Sequence, residues 1–372
     1  MRDALNFIVA HGGATSRWRS FWLYTQGGTR ADPQIAALDF IGKSPMPSLE
    51  RLEVKYDGLL YTTTQGQQGL ERVLHNRSLF HNPPPARLKH VTLEWVPNSY
   101  LFASPDRPEL VGLTHLEIML PKPLPRLEHI NALLAANPTL RVLSIDTRVS
   151  PYAVPTDSEE RAELAHLPKT NLPNLRALAL LFYASTCNLW WEHSLLRMLD
   201  APKVESLRLR LQMPPSQPPY AQDFVDYLTK GADLSNPKPL FPALNGLELL
   251  GRDSWSYNGS FDKEILAAYP TITTLVLTQW AQTSVLNIQP WLVPHLNRLL
   301  TRVELTPELK KAIAERCDAG LGPKILEVPS ERRTHVECIE PAYREAFSGL
   351  GVDVRVSYSS QRVREVLGFE ES

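Results

Sequence analysis

Six prolines hold one fixed offset from an apolar triplet, and this frame restricts the fold more than any other feature of the sequence. Pro47 precedes Leu49-x-x-Leu52-x-Val54, and Pro138 precedes Leu140-x-x-Leu143-x-Ile145. Pro173, Pro202, Pro242 and Pro270 stand likewise before Leu175-x-x-Leu178-x-Leu180, Val204-x-x-Leu207-x-Leu209, Leu244-x-x-Leu247-x-Leu249 and Ile272-x-x-Leu275-x-Leu277. Two further copies, Leu88-x-x-Val91-x-Leu93 and Leu113-x-x-Leu116-x-Ile118, lack the proline. In a chain that is 43% hydrophobic, three fixed apolar positions recur by chance at about 8% of starting points, so the triplet alone decides little. The proline decides it. Prolines are 32 of 372 residues, which puts fewer than one at that offset in eight copies, and six are found. The frame is an internal repeat.

The middle apolar positions, from Leu52 to Leu275, are spaced so that each unit holds a short strand, a helix and a variable loop. Leu127, Ile130, Leu133 and Leu134 recur at helical spacing and stop at Asn137-Pro138. Leu195, Leu196 and Leu199 stop at Ala201-Pro202, and Phe261, Ile265 and Tyr269 stop at Pro270. Leu70, Val73 and Leu74 mark an earlier helix. Proline cannot continue a helix, so it is expected where the chain turns back into a strand. A unit of this size cannot cover its own apolar stripe, so neighbours must stack and their strands must form one parallel ladder. The expectation is an α/β solenoid of right-handed strand-helix repeats with a curved parallel sheet on its concave face. It is expected to form a single elongated domain over 1–372, with a cap and first irregular repeat over 1–46, repeats over 47–305, and closing repeats and cap over 306–372.

Both ends fit that scheme. Trp18-x-x-Phe21-x-Leu23 extends the frame one step upstream, behind an amphipathic helix containing Leu5, Ile8 and Val9. Thr306-Pro307 is a good helix start, Ile325-Leu326-Glu327-Val328 reads as a strand, Pro341 is expected to begin a last helix, and Val352, Val354, Val356 and Tyr358 alternate as a final strand. The acidic tail after Gly368 is expected to fray. Residues 147–172 and 212–241 are polar, proline-punctuated insertions, the second with a short helix around Phe224 and Leu228. Rigid spacing is the expected use of their prolines, with an SH3-like or WW-like partner as the alternative.

Composition narrows the function classes. Lysine and arginine number 39 against 40 acidic residues, so no net charge draws the chain to nucleic acid or to a membrane. Cys187, Cys317 and Cys338 are too few and scattered for a disulfide framework or a zinc site, which fits a reducing compartment. No signal-peptide pattern or bilayer-length apolar run is seen, so a cytoplasmic or nuclear monomer is expected, with the sequons at Asn76 and Asn258 silent. No metal or cofactor is expected. Gly320-Leu321-Gly322-Pro323-Lys324 lacks phosphate-loop spacing, and the hydrolase and zinc-protease phrases do not occur, so the chain is expected not to be an enzyme. His90 and His115 fall at matching strand positions, where a solvated face is expected, with a metal pair as the alternative. Glu192-His193 beside Trp190-Trp191 suggests chemistry, but helix packing explains the aromatic pair more simply.

Alternation along the strands points the second and third apolar positions inward and their neighbours outward. The outward set carries Glu53, Lys55, Glu94, Glu117 and Asp146, then Arg208, Arg210 and Glu248. An acidic half and a basic spot on one face would orient a partner of complementary charge, although such charges also serve solubility.

The phrase Leu-x-x-Leu-x-Leu resembles the leucine-rich-repeat family. The irregular repeat lengths, the Pro-x-Leu-x-x-Leu-x-Leu phrase and the opening Arg17-Trp18-Arg19-Ser20 resemble the region that follows the F-box in fungal F-box proteins. Arg316-Cys317 before a strand is similar to how those chains close. The resemblance implies protein-protein interaction, and specifically substrate recognition for an SCF-type ubiquitin ligase, with the ligase adaptor as a partner. The family's asparagine, three residues beyond the last apolar position, is replaced by Asp57, Val96, Pro121, Arg148, Tyr183, Gln212, Arg252 and Trp280. No F-box-like Leu-Pro-x-Glu phrase precedes the first repeat, so adaptor docking is expected only if an F-box is encoded upstream. A stand-alone scaffold is the alternative.

Overall fold

In the computed structural model, every framed proline lies four residues before a strand: the strands after the six prolines begin at Arg51, Val142, Ala177, Ser206, Gly246 and Thr274. Around Pro47, Pro138, Pro173, Pro242 and Pro270 the residue two places on returns its N–H to the carbonyl before the proline, as Leu49 does to Met46 and Leu140 to Asn137, both at 3.1 Å. Proline is thus the second residue of a β-turn, where its fixed φ costs nothing and its missing N–H is not needed. The next two N–H groups then share one carbonyl of the neighbouring unit. Arg141 and Val142 both donate to Thr114, and Asn245 and Gly246 both donate to Glu205. The proline therefore does more than end a helix. It fixes the register at which each strand joins its neighbour.

The structure describes residues 1–26, 32–57, 77–80, 84–102, 104–121, 124–147, 168–183, 190–212, 218–250, 260–278, 280–302, 305–330, 333–358 and 361–370. The expected helix at Leu70–Leu74, the sequon asparagines Asn76 and Asn258, most of the 147–172 insertion and the Pro214–Pro215 run lie outside them. The protein is α/β, with one long sheet of twelve strands in chain order, parallel at every pair whose register is described. The chain divides into two compact units, Met1–Leu175 with Leu181–Ala201, and Arg176–Leu180 with Pro202–Ser372.

The first unit holds β1 (Ser20–Gln26), β2 (Arg51–Asp57), β3 (His90–Glu94), β4 (His115–Met119) and β5 (Val142–Asp146). The framed positions pair directly: Phe21 with Leu52, Leu52 with Val91, Val91 with Leu116, and Leu116 with Leu143. Leu49, Leu52, Val54, Val91, Leu93, Leu113, Leu140 and Leu143 are fully buried, each worth about 1.5–3 kcal/mol of transfer free energy. Helix α1 (Arg2–Ala10) precedes β1, and α2 (Asp32–Lys43), which carries no framed triplet, connects β1 to β2 and buries Ala37, Leu38 and Ile41. Asp39 on α2 accepts from Tyr100 Oη at 2.9 Å and pairs with Arg77 and Arg2. The expected burial of Ile8 and Val9 is corrected: α1 buries only Leu5, while Phe7, Ile8 and Val9 stay exposed. Helix α3 (Leu127–Ala135) ends just before the expected stop at Asn137-Pro138. A second, two-stranded parallel sheet joins β6 (Thr170–Asn171) to β8 (Leu199–Asp200), so Leu199 leaves α4 (Trp190–Met198) for a strand. Strand β7 (Ala177–Tyr183) is divided between the two units.

The second unit holds β9 (Ser206–Gln212), β10 (Gly246–Leu250), β11 (Thr274–Leu277), β12 (Arg298–Thr301), β13 (Ile325–Ser330) and β14 (Asp353–Tyr358). Leu207, Leu247, Leu275, Leu299, Leu326 and Val354 share one register row. Helices α5 (Pro218–Lys230), α6 (Ser260–Ala268) and α7 (Pro307–Asp318) supply the inner face with Phe224, Leu228, Ile265, Leu266 and Ile313. Thr306 caps α7 by accepting from the Leu309 N–H at 3.2 Å, as the Thr-Pro start predicts. Helix α8 runs from Arg333 to Ala346, so Pro341 lies inside it and does not begin it. The expected fraying after Gly368 is corrected for Phe369, which is fully buried, and Glu370, which pairs with Arg364 at 3.1 Å; the last two residues lie outside the described ones.

Candidate interaction surface

Strand alternation divides each sheet into an inner face under the helices and an outer face. In the first unit the outer face opens on β1 with Trp22 and Tyr24, exposed by 67% and 61%. Trp22 lies in register with Glu53, Thr92, Glu117 and Ser144 on the next four strands. Tyr24 pairs with Lys55, and one row of Glu94, Met119 and Asp146 follows on β3 to β5. The Arg51 guanidinium sits 5.2 Å from the centre of the Trp22 ring, a cation–π contact on the open side of the sheet.

The charges expected on this face are present and engaged with one another. Lys55 Nζ lies 2.8 Å from Glu53 and 3.6 Å from Glu94. Burial works against its charge, but the Glu53 hydrogen bond and the charges of Glu94 and Glu117 outweigh it and hold Lys55 above its ordinary pKa. His90 and His115 align in register as their spacing predicts, with ring centres 5.7 Å apart. His115 is buried, not solvated, and its Nε2 lies 2.7 Å from Glu117 Oε1. Asp146, expected on an open surface, is buried. The face therefore grades from exposed aromatics at β1, through half-buried charges on β2 to β4, to a closed end at β5.

In the α4 segment Trp191 is buried and donates from Nε1 to the Pro125 carbonyl at 2.9 Å. The aromatic pair thus serves packing at that residue, and Glu192 is buried beside it. Among the described residues no helix is long and apolar enough to cross a membrane. No group of three or more His, Cys, Asp or Glu converges there to hold a metal ion.

The outer face of the second unit is different. Arg208, Glu248, Val276, Leu300, Glu327 and Arg355 form one register row across β9 to β14. Glu248, Val276, Leu300 and Glu327 are buried although they point away from the helices, and the Arg208 side chain is only 11% exposed. The end of the chain lies over this face at Arg208, Gly246 and Glu327. Helix α9 (Arg362–Val366) follows β14, and Gly368 ends it in the left-handed region at φ 71°. Phe369 N–H returns to Arg364 and Gly368 N–H to Glu365, a Schellman closure that turns Phe369 back toward the sheet. Arg362 donates to both oxygens of Glu327, at 2.9 and 3.4 Å. Phe369 stacks on the Arg208 guanidinium at 5.3 Å, and a Cβ on Gly246 would meet Leu367 Cδ2 at 2.9 Å. Arg208 and Glu248, read from sequence as open binding residues, therefore lie under this segment as an ion pair. Arg210, next along β9, is half-buried.

The sequence matches no protein-family model and no curated protein.

Proposed function

We propose that the chain is a leucine-rich-repeat protein-interaction module, and that the outer face of β1 to β4 recognises its protein partner. One observation carries the reading. Two large aromatic side chains, Trp22 and Tyr24, stand exposed on one strand, in register with a charged ladder on its neighbours. Aromatic anchors flanked by charged residues are the usual centre of a protein interface, and an exposed tryptophan is costly unless something covers it in use. Glu53, Glu94 and Glu117 outnumber Lys55 and Arg51 there, so the partner should present lysine or arginine beside an apolar or aromatic contact.

The test is selection of displayed peptides on the full chain, followed by affinity measurement. Selected peptides should be basic and aromatic, and Trp22→Ala or Tyr24→Ala should weaken them at least tenfold. Peptides bound equally by wild type and both variants would remove this face from the reading.

The resemblance to fungal F-box proteins extends the proposal to substrate recognition for an SCF-type ubiquitin ligase. Copurification with the ligase's small adaptor subunit tests that step by itself. If the adaptor does not bind while the selected peptides do, the stand-alone scaffold stands.

A further inference from the structure

We propose that the outer face of β9 to β13 is a peptide-binding site whose resident occupant is the chain's own segment 361–370. A partner with the same chemistry, an arginine followed by apolar positions around one short helical turn, would bind by displacing that segment. This inference uses neither Trp22 nor Tyr24 and stands or falls apart from the reading of the first unit.

The chemistry of the covered face points to a receptor and not to a permanent seal. A sheet face closed for stability alone is best lined with apolar side chains, because a buried ion pair often contributes no more than a hydrophobic pair of the same volume. Here the covered row carries Arg208, Glu248 and Glu327, all charged and largely buried. Glu248 Oε1 is buried with no hydrogen-bond partner among the described residues, so the site retains acceptor capacity that its occupant does not meet. Charges of this kind suit a surface that must be wetted when open and complementary when filled.

The segment is held as a ligand is held, by three side-chain anchors. The Arg362 fork meets the Glu327 carboxylate, Leu367 fills the recess left by the missing side chain of Gly246, and Phe369 covers the Arg208 guanidinium. Val363 is buried as well. Three buried apolar side chains set against the ordering of ten residues leave a marginal hold, so this segment can open while the strands beneath it stay closed.

The test uses the full chain and a fluorescent peptide of residues 359–372. A chain carrying Arg362→Ala and Phe369→Ser, shown by circular dichroism to be folded, should bind the peptide at least tenfold more tightly than wild type. A peptide with the same two substitutions should bind neither. Equal affinity for the two chains, or no binding by the folded variant, overturns the proposal. If the variant does not fold, wild type decides the matter by hydrogen exchange. Excess isotope-marked peptide should speed exchange of the chain's own Leu367, Gly368 and Phe369 amides at least tenfold while leaving Leu247 and Leu275 unchanged, and unaltered exchange at the three overturns it.

Discussion

Arg208 donates from Nε to the carboxylate of Glu248, its register partner on the next strand, and the pair is buried beneath Phe369. A buried pair and its broken halves differ sharply in energy. Glu248→Leu leaves a guanidinium without its counter-charge and should lower unfolding stability by about 3–5 kcal/mol. The double change Arg208→Met with Glu248→Leu should recover most of that loss, because it removes both charges and keeps the volume. Urea unfolding of the four-member cycle measures the coupling, and simple additivity of the single changes would contradict a direct pair.

Arg316 is fully buried on α7 and donates to three backbone carbonyls, of Leu286, Leu292 and Val293, at 2.8–3.2 Å. Its guanidinium also lies 5.2 Å from the Trp291 ring centre. Val293 has φ 50°, the left-handed region that a β-branched residue rarely adopts, and Arg316 holds its carbonyl there. Arg316→Lys keeps the charge but lacks the planar fork, so it should cost about 2–4 kcal/mol. Arg316→Ala should cost at least as much. A lysine variant of wild-type stability would show that charge alone suffices.

How far the sequence reveals this molecule depends on the range of the interaction. Strands β2, β5, β7 and β9 to β11 are legible because proline, turn and apolar triplet act within a few residues of one another, and β3 and β4 from the triplet alone. Strand β12 escapes the frame because its third position is Thr301, a polar residue that the fold nonetheless buries completely. Trp22 and Tyr24 are legible by one more step, since alternation from Phe21 and Leu23 points them outward. Their exposure is not legible, because it depends on what the rest of the chain leaves uncovered. The covering of Arg208 by Phe369 is a contact between residues far apart in sequence, and a five-residue helix is too short to show a period.

Glu109 provides a pH test. Ser78 Oγ lies 2.6 Å from the Phe80 carbonyl and 2.8–2.9 Å from both Glu109 oxygens, yet a hydroxyl has one proton to give. Burial pushes the Glu109 carboxyl above its ordinary value of 4.5, against the lowering by Ser78 and the Phe80 N–H. A protonated carboxyl resolves the crowding, donating to Ser78 while Ser78 donates to Phe80. With the folded value raised, the folded state holds a proton that the unfolded state has released once the pH passes 4.5, so stability falls as pH rises through that window. Glu109→Gln cannot ionise, and its amide supplies the same donor. The stability difference, variant minus wild type, should therefore grow between pH 4 and pH 7 in chemical denaturation. A difference independent of pH would show that Glu109 does not titrate above its ordinary range.

Asn137 stands two residues beyond the end of α3, and its side chain turns back on the helix. It is fully buried with all of its amide engaged. Oδ1 accepts from the Leu113 N–H at 2.8 Å, and Nδ2 donates to the Leu110 carbonyl at 2.9 Å and to the Leu133 carbonyl at 2.6 Å. One side chain thus closes the end of α3 and ties it to the turn that leads into β4. Asn137→Ala strands one donor and two acceptors in the interior and should cost about 2–4 kcal/mol in urea unfolding. Asn137→Asp keeps the acceptor but turns the two donating contacts into carboxylate facing carbonyl, so near neutral pH it should cost at least as much as alanine. Acid should separate the two: protonation restores one donor to the aspartate variant and nothing to the alanine variant. An aspartate variant that gains no stability relative to the alanine variant on going from pH 7 to pH 4 would mean that the amide's donors are not what holds α3 to the preceding turn.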